Sequence, residues 1–133
     1  MEREIRFRAK DYTGSWQYGF IMAGKEEAII VPVTLDGTLF PHINIYVEPE
    51  TIGQYTGVHD VNGKDIYEGD FVRVSDWTSV YASEYKGTVC FKRGQWVVSY
   101  EKYSCEMTQR LFFDDFSDRK TTIIGNIHEL PTK

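Results

Sequence analysis

Four carboxylates around a glycine turn are the first candidates for chemistry in this 133-residue chain: Asp60, Asp65, Glu68 and Asp70. Carboxylate oxygens grouped in this way could hold a hard cation such as calcium. The calcium-binding loop needs a fixed spacing between its acidic residues and its glycine, and here Gly63 directly follows Asn62, so that spacing fails. We therefore predict turn residues on a solvated acidic face, with no metal site and no cofactor.

The histidines and cysteines show no catalytic or metal-ligand spacing. His42, His59 and His128 are isolated in the sequence, and Cys90 and Cys105 form no CxxC pair. Both cysteines are expected to be reduced thiols. The chain also lacks a phosphate-binding loop and a nucleophile elbow. These observations predict a protein without catalytic residues, which is not an enzyme.

The charge and the lack of long apolar runs limit the partners that the chain can have. A formal net charge of −5 disfavours broad attraction to nucleic-acid phosphates or anionic lipid, because that attraction needs clustered Lys and Arg. No apolar stretch reaches the length of a membrane span, and no charged leader precedes an apolar run at the start. We expect a cytoplasmic protein without a membrane partner.

Period-two alternation of apolar and polar residues predicts strands along most of the chain. In the first strand Phe7 and Ala9 alternate with Arg6, Arg8 and Lys10, which predicts a buried face and a charged, solvent-facing one. Further strands are predicted over 16–22, 28–33, 43–47, 71–74, 87–91, 95–100 and 121–124. Residues 107–116 could form a short helix, although 111–113 could equally be a buried turn.

Many short strands joined by tight turns predict an all-β fold. Residues 68–127 have the layout of an SH3-like barrel, with a long loop at 75–85 and a tight link at 92–94. We predict an SH3-like small barrel in the C-terminal half (51–133) and an adjoining N-terminal β-sheet subdomain (1–50), which together form one compact unit. Asn62 and Gly63 tolerate positive φ and should occupy a turn.

Two central segments, PETIGQYTG at 49–57 and DVNGKDIYEGDFV at 60–72, resemble the signature of the YopX family of phage and prophage proteins. The opening residues 3–8 and the closing residues 123–127 are similar to the two ends of that family, so the resemblance covers nearly the whole chain. It implies an all-β protein encoded by a phage or prophage and present in the bacterial host cell. It brings no catalytic residues with it.

Turn chemistry leaves part of this signature unexplained, and the unexplained residues form the predicted binding surface: Thr51, Gln54, Tyr55, Thr56 and Tyr67. We predict a non-catalytic accessory module that binds an unknown host or phage protein, or that associates with itself. The stretches 29–31 and 43–47 are strongly β-forming and carry no Lys or Arg. They are expected to leave exposed sheet edges that favour a symmetric homo-oligomer.

Binding of single-stranded nucleic acid is the alternative function, because small β-barrels can expose aromatic rings on which bases stack. The rings that could serve are Trp77, Tyr81, Tyr85, Trp96, Tyr100 and Tyr103. The cations near them are Lys86, Lys92, Arg93 and Lys102. Strand alternation should place about half of these rings in the core, and Asp114, Asp115 and Asp118 work against a basic groove. A protein partner is therefore favoured over nucleic acid.

Overall fold

The computed structural model describes residues 5–24, 26–32, 44–76, 83–102, 104–111 and 119–129. These residues are all-β, with one 3₁₀ turn at Pro49–Thr51. Their strands are β1 (Phe7–Lys10), β2 (Trp16–Ala23), β3 (Ala28–Pro32), β4 (Ile45–Val47), β5 (Gly53–His59), β6 (Asp65–Tyr67), β7 (Asp70–Asp76), β8 (Ser83–Lys92), β9 (Gln95–Lys102), β10 (Cys105–Arg110) and β11 (Arg119–Asn126). The all-β prediction is confirmed.

The strands form two sheets, and the chain divides into two compact units. One sheet has the order β4-β3-β2-β1-β5-β6, and the other has the order β10-β9-β8-β7-β11. The first unit covers 1–55 and the second covers 56–133, so the boundary falls inside β5. The predicted subdomain boundary between residues 50 and 51 stays a prediction.

Both sheets repeat one connectivity, although the sequence shows no internal repeat. In each sheet four consecutive strands form an antiparallel meander, and the fifth strand returns to lie antiparallel beside the first. This gives β4-β3-β2-β1-β5 in one case and β10-β9-β8-β7-β11 in the other. The predicted closed barrel is not observed in the described residues, because no strand ladder joins the edge strands β10 and β11.

Small and β-branched residues on one face of the first sheet make its core. Ala9, Ala28, Ile30 and Val47 are buried, and Ile21, Ile45 and Ile52 pack against them. The alternation predicted for β1 is therefore confirmed at Ala9.

The solvent-facing position predicted for Arg8 is wrong. Its side chain is only 7% exposed. The guanidinium carbon lies 4.5 Å from the centre of the Trp16 ring, in a cation–π contact. Arg8 can be covered because its long side chain packs along an aromatic surface while the charge faces the ring.

The second sheet packs its core from Ile66, Val72, Val74, Val89 and Val98. The helix that could have begun at Met107 is not formed, because Met107 lies in β10 and pairs with Tyr100 of β9. Pairing along Cys105–Arg110 satisfies the backbone groups that β9 would otherwise leave open at that edge. Residues 112–116 of the helix prediction lie outside the described residues.

Candidate binding surface

Asp60 organises the glycine turn in the centre of the family signature. One carboxylate oxygen accepts hydrogen bonds from the amides of Asn62 and Lys64, both at 2.9 Å. The other oxygen accepts from the amide of Ile123 in β11 at 3.1 Å. Asp60 is 1% exposed and Gly63 has a φ of 81°, so this is a turn held by a buried carboxylate.

Asp70 plays a similar part at the next turn. It is buried, and its carboxylate accepts a hydrogen bond from the amide of Tyr67 at 2.8 Å. Gly69, with a φ of 92°, sits between them and donates its amide to the carbonyl of Val89 at 2.9 Å. Two of the four carboxylates that suggested a cation thus serve as backbone acceptors.

In the part of the chain that the structure describes, no group of three or more His, Cys, Asp or Glu side chains could hold a metal ion. No helix among the same residues is long and apolar enough to cross a membrane.

Three of the predicted surface residues lie in the first unit. Thr51 is buried, where its hydroxyl accepts from the amide of Lys10 at 2.8 Å and donates to the carbonyl of Glu48 at 2.7 Å. Tyr55 is 8% exposed, and the guanidinium of Arg6 lies 4.3 Å from its ring centre. Gln54 is half-buried and its backbone pairs with β1. The two hydrogen bonds of the Thr51 hydroxyl link the 3₁₀ turn to the end of β1.

The other two predicted surface residues lie in the second unit. The hydroxyl of Thr56 donates to the carbonyl of Ile66 at 2.7 Å and accepts from the amide of Val58 at 3.3 Å. Tyr67 is 3% exposed. The partners of the Thr56 hydroxyl both lie in the second unit.

A surface that the sequence analysis did not single out lies on the first sheet, on the face opposite its core. Side chains two apart on a strand share a face, and so do directly paired residues of neighbouring strands. Pairing of Met22 with Ile29, and of Ile29 with Tyr46, makes one row across β2, β3 and β4. Phe20 with Val31 makes the next row.

Four large side chains on this face stay open to solvent: Tyr18 at 49%, Phe20 at 42%, Met22 at 65% and Tyr46 at 54%. We call these four residues the apolar patch. β2, β3 and β4 contain no charged residue. A contiguous exposed area of this kind is typical of an interaction site, whereas single exposed apolar residues are ordinary.

The second sheet provides an internal comparison, because it has the same connectivity. The corresponding face of its second strand, β8, carries Glu84, Lys86 and Thr88. Lys86 pairs with Arg73 of β7, and Arg73 lies 3.5 Å from Glu84 in an exposed ion pair. Solvent thus faces charged side chains on one sheet and apolar side chains at the matching place on the other.

The aromatic residues proposed for nucleic-acid stacking are partly used in the second core. Tyr85 and Trp96 pack against that core, and the rings of Tyr85 and Tyr100 stack with centres 4.4 Å apart. Among the nearby cations, Lys92 forms an ion pair with Glu106. Trp77, Tyr81 and Tyr103 lie outside the described residues.

The stretch 29–31 is not a sheet edge, because it lies in β3 and pairs with β2 on one side and β4 on the other. β4 is an edge strand. Part of its outer edge is occupied, because a single β-bridge joins Val47 to Asp11. The amide of Glu48 also donates to the carbonyl of Lys10 at 2.8 Å. These two contacts occupy the Val47 end of the β4 edge.

His59 and His128 are each half-buried, and His42 lies outside the described residues.

The two cysteines differ in environment and should differ in reactivity. Burial raises the pKa of the Cys90 thiol, whereas Cys105 is exposed. A raised pKa leaves less thiolate at a given pH, and the thiolate is the nucleophile. We expect iodoacetamide at pH 8 to label Cys105 before Cys90, as followed by peptide mass spectrometry. A Cys90→Ser variant should lose only the slow phase, and faster labelling of Cys90 would contradict the structure.

Comparison with known proteins places the chain in a family. Neither the curated proteins nor the solved structures include a match to it. The protein-family model described as YopX protein matches residues 6–133, which is nearly the whole chain. The predicted resemblance to this family is thereby confirmed, and the chain belongs to the YopX family.

Proposed function

We propose that this chain is a non-catalytic accessory module of a phage or prophage that binds a protein partner in the cytoplasm of the bacterial host. The observation that carries the proposal is the apolar patch on the first sheet, at a place where the second sheet carries Glu84, Lys86 and Arg73. Burial of that patch by a partner would remove apolar surface from water, which is the main favourable term in protein association.

The fold that we propose for each unit is SH3-like. The support is the shared connectivity, in which a four-stranded meander ends with a fifth strand beside the first. In the first unit the 3₁₀ turn at Pro49–Thr51 links β4 to β5 and directs the chain back to β1. This arrangement holds the sheet in which β2 and β4 carry the apolar patch.

We propose that the five residues predicted from the family signature support partner binding, each from within the unit in which it lies. Tyr55 and Arg6 lie on the same face of the first sheet as the apolar patch, because β1 pairs with β2 through Arg8 and Tyr18. Thr51 holds the end of β1 in place. Thr56 and Tyr67 belong to the second unit.

Affinity capture from a bacterial lysate treated with nuclease tests the proposed function. We expect the wild-type chain to retain a defined polypeptide that Met22→Lys loses, because a charge in the apolar patch would have to be buried unpaired. Met107→Lys is the matched control, since Met107 is also exposed but lies in the second sheet.

Equal capture by Met22→Lys would contradict the proposal. A ligand that is captured from an untreated lysate and lost after nuclease treatment would instead support the single-stranded nucleic-acid alternative.

A further inference from the structure

We propose that the partner which covers the apolar patch is a second copy of this chain, in a face-to-face contact with two-fold symmetry. The inference rests on the proposed function and names its partner. Closed two-fold dimers are the most common symmetric assembly, and in them the same patch must be complementary to itself.

The charge distribution fits self-association at this face. The chain has a formal net charge of −5, so two copies repel each other over most of their surfaces. β2, β3 and β4 carry no charged residue, so stacking their outer faces brings no like charges together. The matching face of the second sheet carries Glu84, Lys86 and Arg73, whose charges would have to lose water in such a contact.

The area of the apolar patch reaches the lower bound for a dimer interface when polar surface around it is included. An aromatic side chain buries roughly 150–250 Å² when it is fully covered, so a half-exposed ring offers about 100 Å². The four side chains of the patch together offer about 400 Å², or about 800 Å² from two copies. An interface that is about 65% apolar would then bury roughly 1,200 Å² in total, which is the lower bound for a specific, stable contact.

The shape of the patch favours contact through a face over extension at a sheet edge. The row formed by Met22, Ile29 and Tyr46 crosses three hydrogen-bonded strands, so it presents a pleated surface. Two pleated faces pack about 10 Å apart with their side chains interdigitated. The bridge between Val47 and Asp11 occupies part of the β4 edge.

Light scattering or sedimentation velocity from about 1 to 200 µM tests the inference. We expect a mass of twice the chain's 15.5 kDa at the upper concentrations for the wild type. Met22→Lys and Tyr46→Lys should each weaken association on the order of 100-fold and return the mass to that of one chain. Met107→Lys should remain a dimer. Circular dichroism melts identify any variant that fails to fold, and two separate patch variants keep the test decisive.

A wild type that stays at the mass of one chain at every concentration would overturn the inference. A mass that stays doubled in both folded patch variants would overturn it as well, because the dimer would then use another surface. A third result is a wild type that is monomeric but captures another polypeptide, which Met22→Lys does not capture. This result would show that the partner is not a second copy, and the proposed function would stand.

Discussion

Replacement of Asp60 by alanine is expected to remove roughly 3–5 kcal/mol from the free energy of unfolding. The carboxylate is buried and accepts three backbone amides, from Asn62, Lys64 and Ile123. A hydrogen bond to a charged group contributes roughly 1.5–3 kcal/mol, and a buried donor left without a partner adds a desolvation cost. Urea unfolding of the variant and the wild type measures the difference.

Asp60→Asn is the matched variant, because it keeps the shape and one acceptor oxygen. That oxygen can still serve the amides of Asn62 and Lys64, while the amide nitrogen would face the donor of Ile123. We expect Asp60→Asn to lose about half as much free energy of unfolding as Asp60→Ala, because only the hydrogen bond that links the turn to β11 is lost. Wild-type stability in Asp60→Ala would contradict the structural assignment of this residue.

Replacement of Gly87 by alanine is expected to cost about 1–3 kcal/mol, at the upper end of that range. A methyl group there would overlap the carbonyl oxygen of Ser99 and lie 2.8 Å from Cγ1 of Val98. Relief requires β8 and β9 to separate, because the obstructing oxygen belongs to the backbone. The same argument applies to Gly19, where the added methyl group would overlap the carbonyl of Val31.

Gly125→Ala provides the control within the same unit. Gly125 lies in β11, and an added methyl group would meet nothing within 4 Å. We expect this variant to match the wild type or to gain up to about 1 kcal/mol, since alanine restricts the unfolded chain. Thermal and urea unfolding compare the variants. A smaller loss in Gly87→Ala than in Gly125→Ala would contradict the register of β8 and β9.

Local chemistry made part of the fold predictable from the sequence. Asp60, Asn62 and Gly63 have the residue types that a turn requires, and the structure places them in one. The strands predicted over 95–100 and 121–124 lie within β9 and β11 because their alternation fits a sheet with one covered face. These features depend only on neighbours in the chain.

Features that depend on how strands pair could not be predicted in this way. The sequence of β1 does not show that Trp16 would cover Arg8, because that contact needs the register of β1 against β2. Met107 fitted one face of the predicted short helix, but it lies in β10 and pairs with Tyr100 of β9. Tertiary context overrides local preference in such cases.

The candidate surface was missed for a related reason. The family signature pointed to the central segment, where the side chains of Asp60, Thr51 and Asp70 accept hydrogen bonds from backbone amides. Alternation of Tyr18, Phe20 and Met22 along β2 was the available signal. Alternation alone shows that one face differs from the other, but only the sheet order reveals which face the core covers.

Hydroxyl-radical footprinting tests most directly whether the apolar patch is a contact surface. Oxidation of Met22 and Tyr46 is measured by mass spectrometry in dilute chain and in the associated state, with Met107 as an exposed internal control. We predict that association protects Met22 and Tyr46 several-fold and leaves Met107 unchanged. Unchanged oxidation of Met22 in the associated state, or protection of Met107 alone, would contradict the assignment of the binding surface to the first sheet.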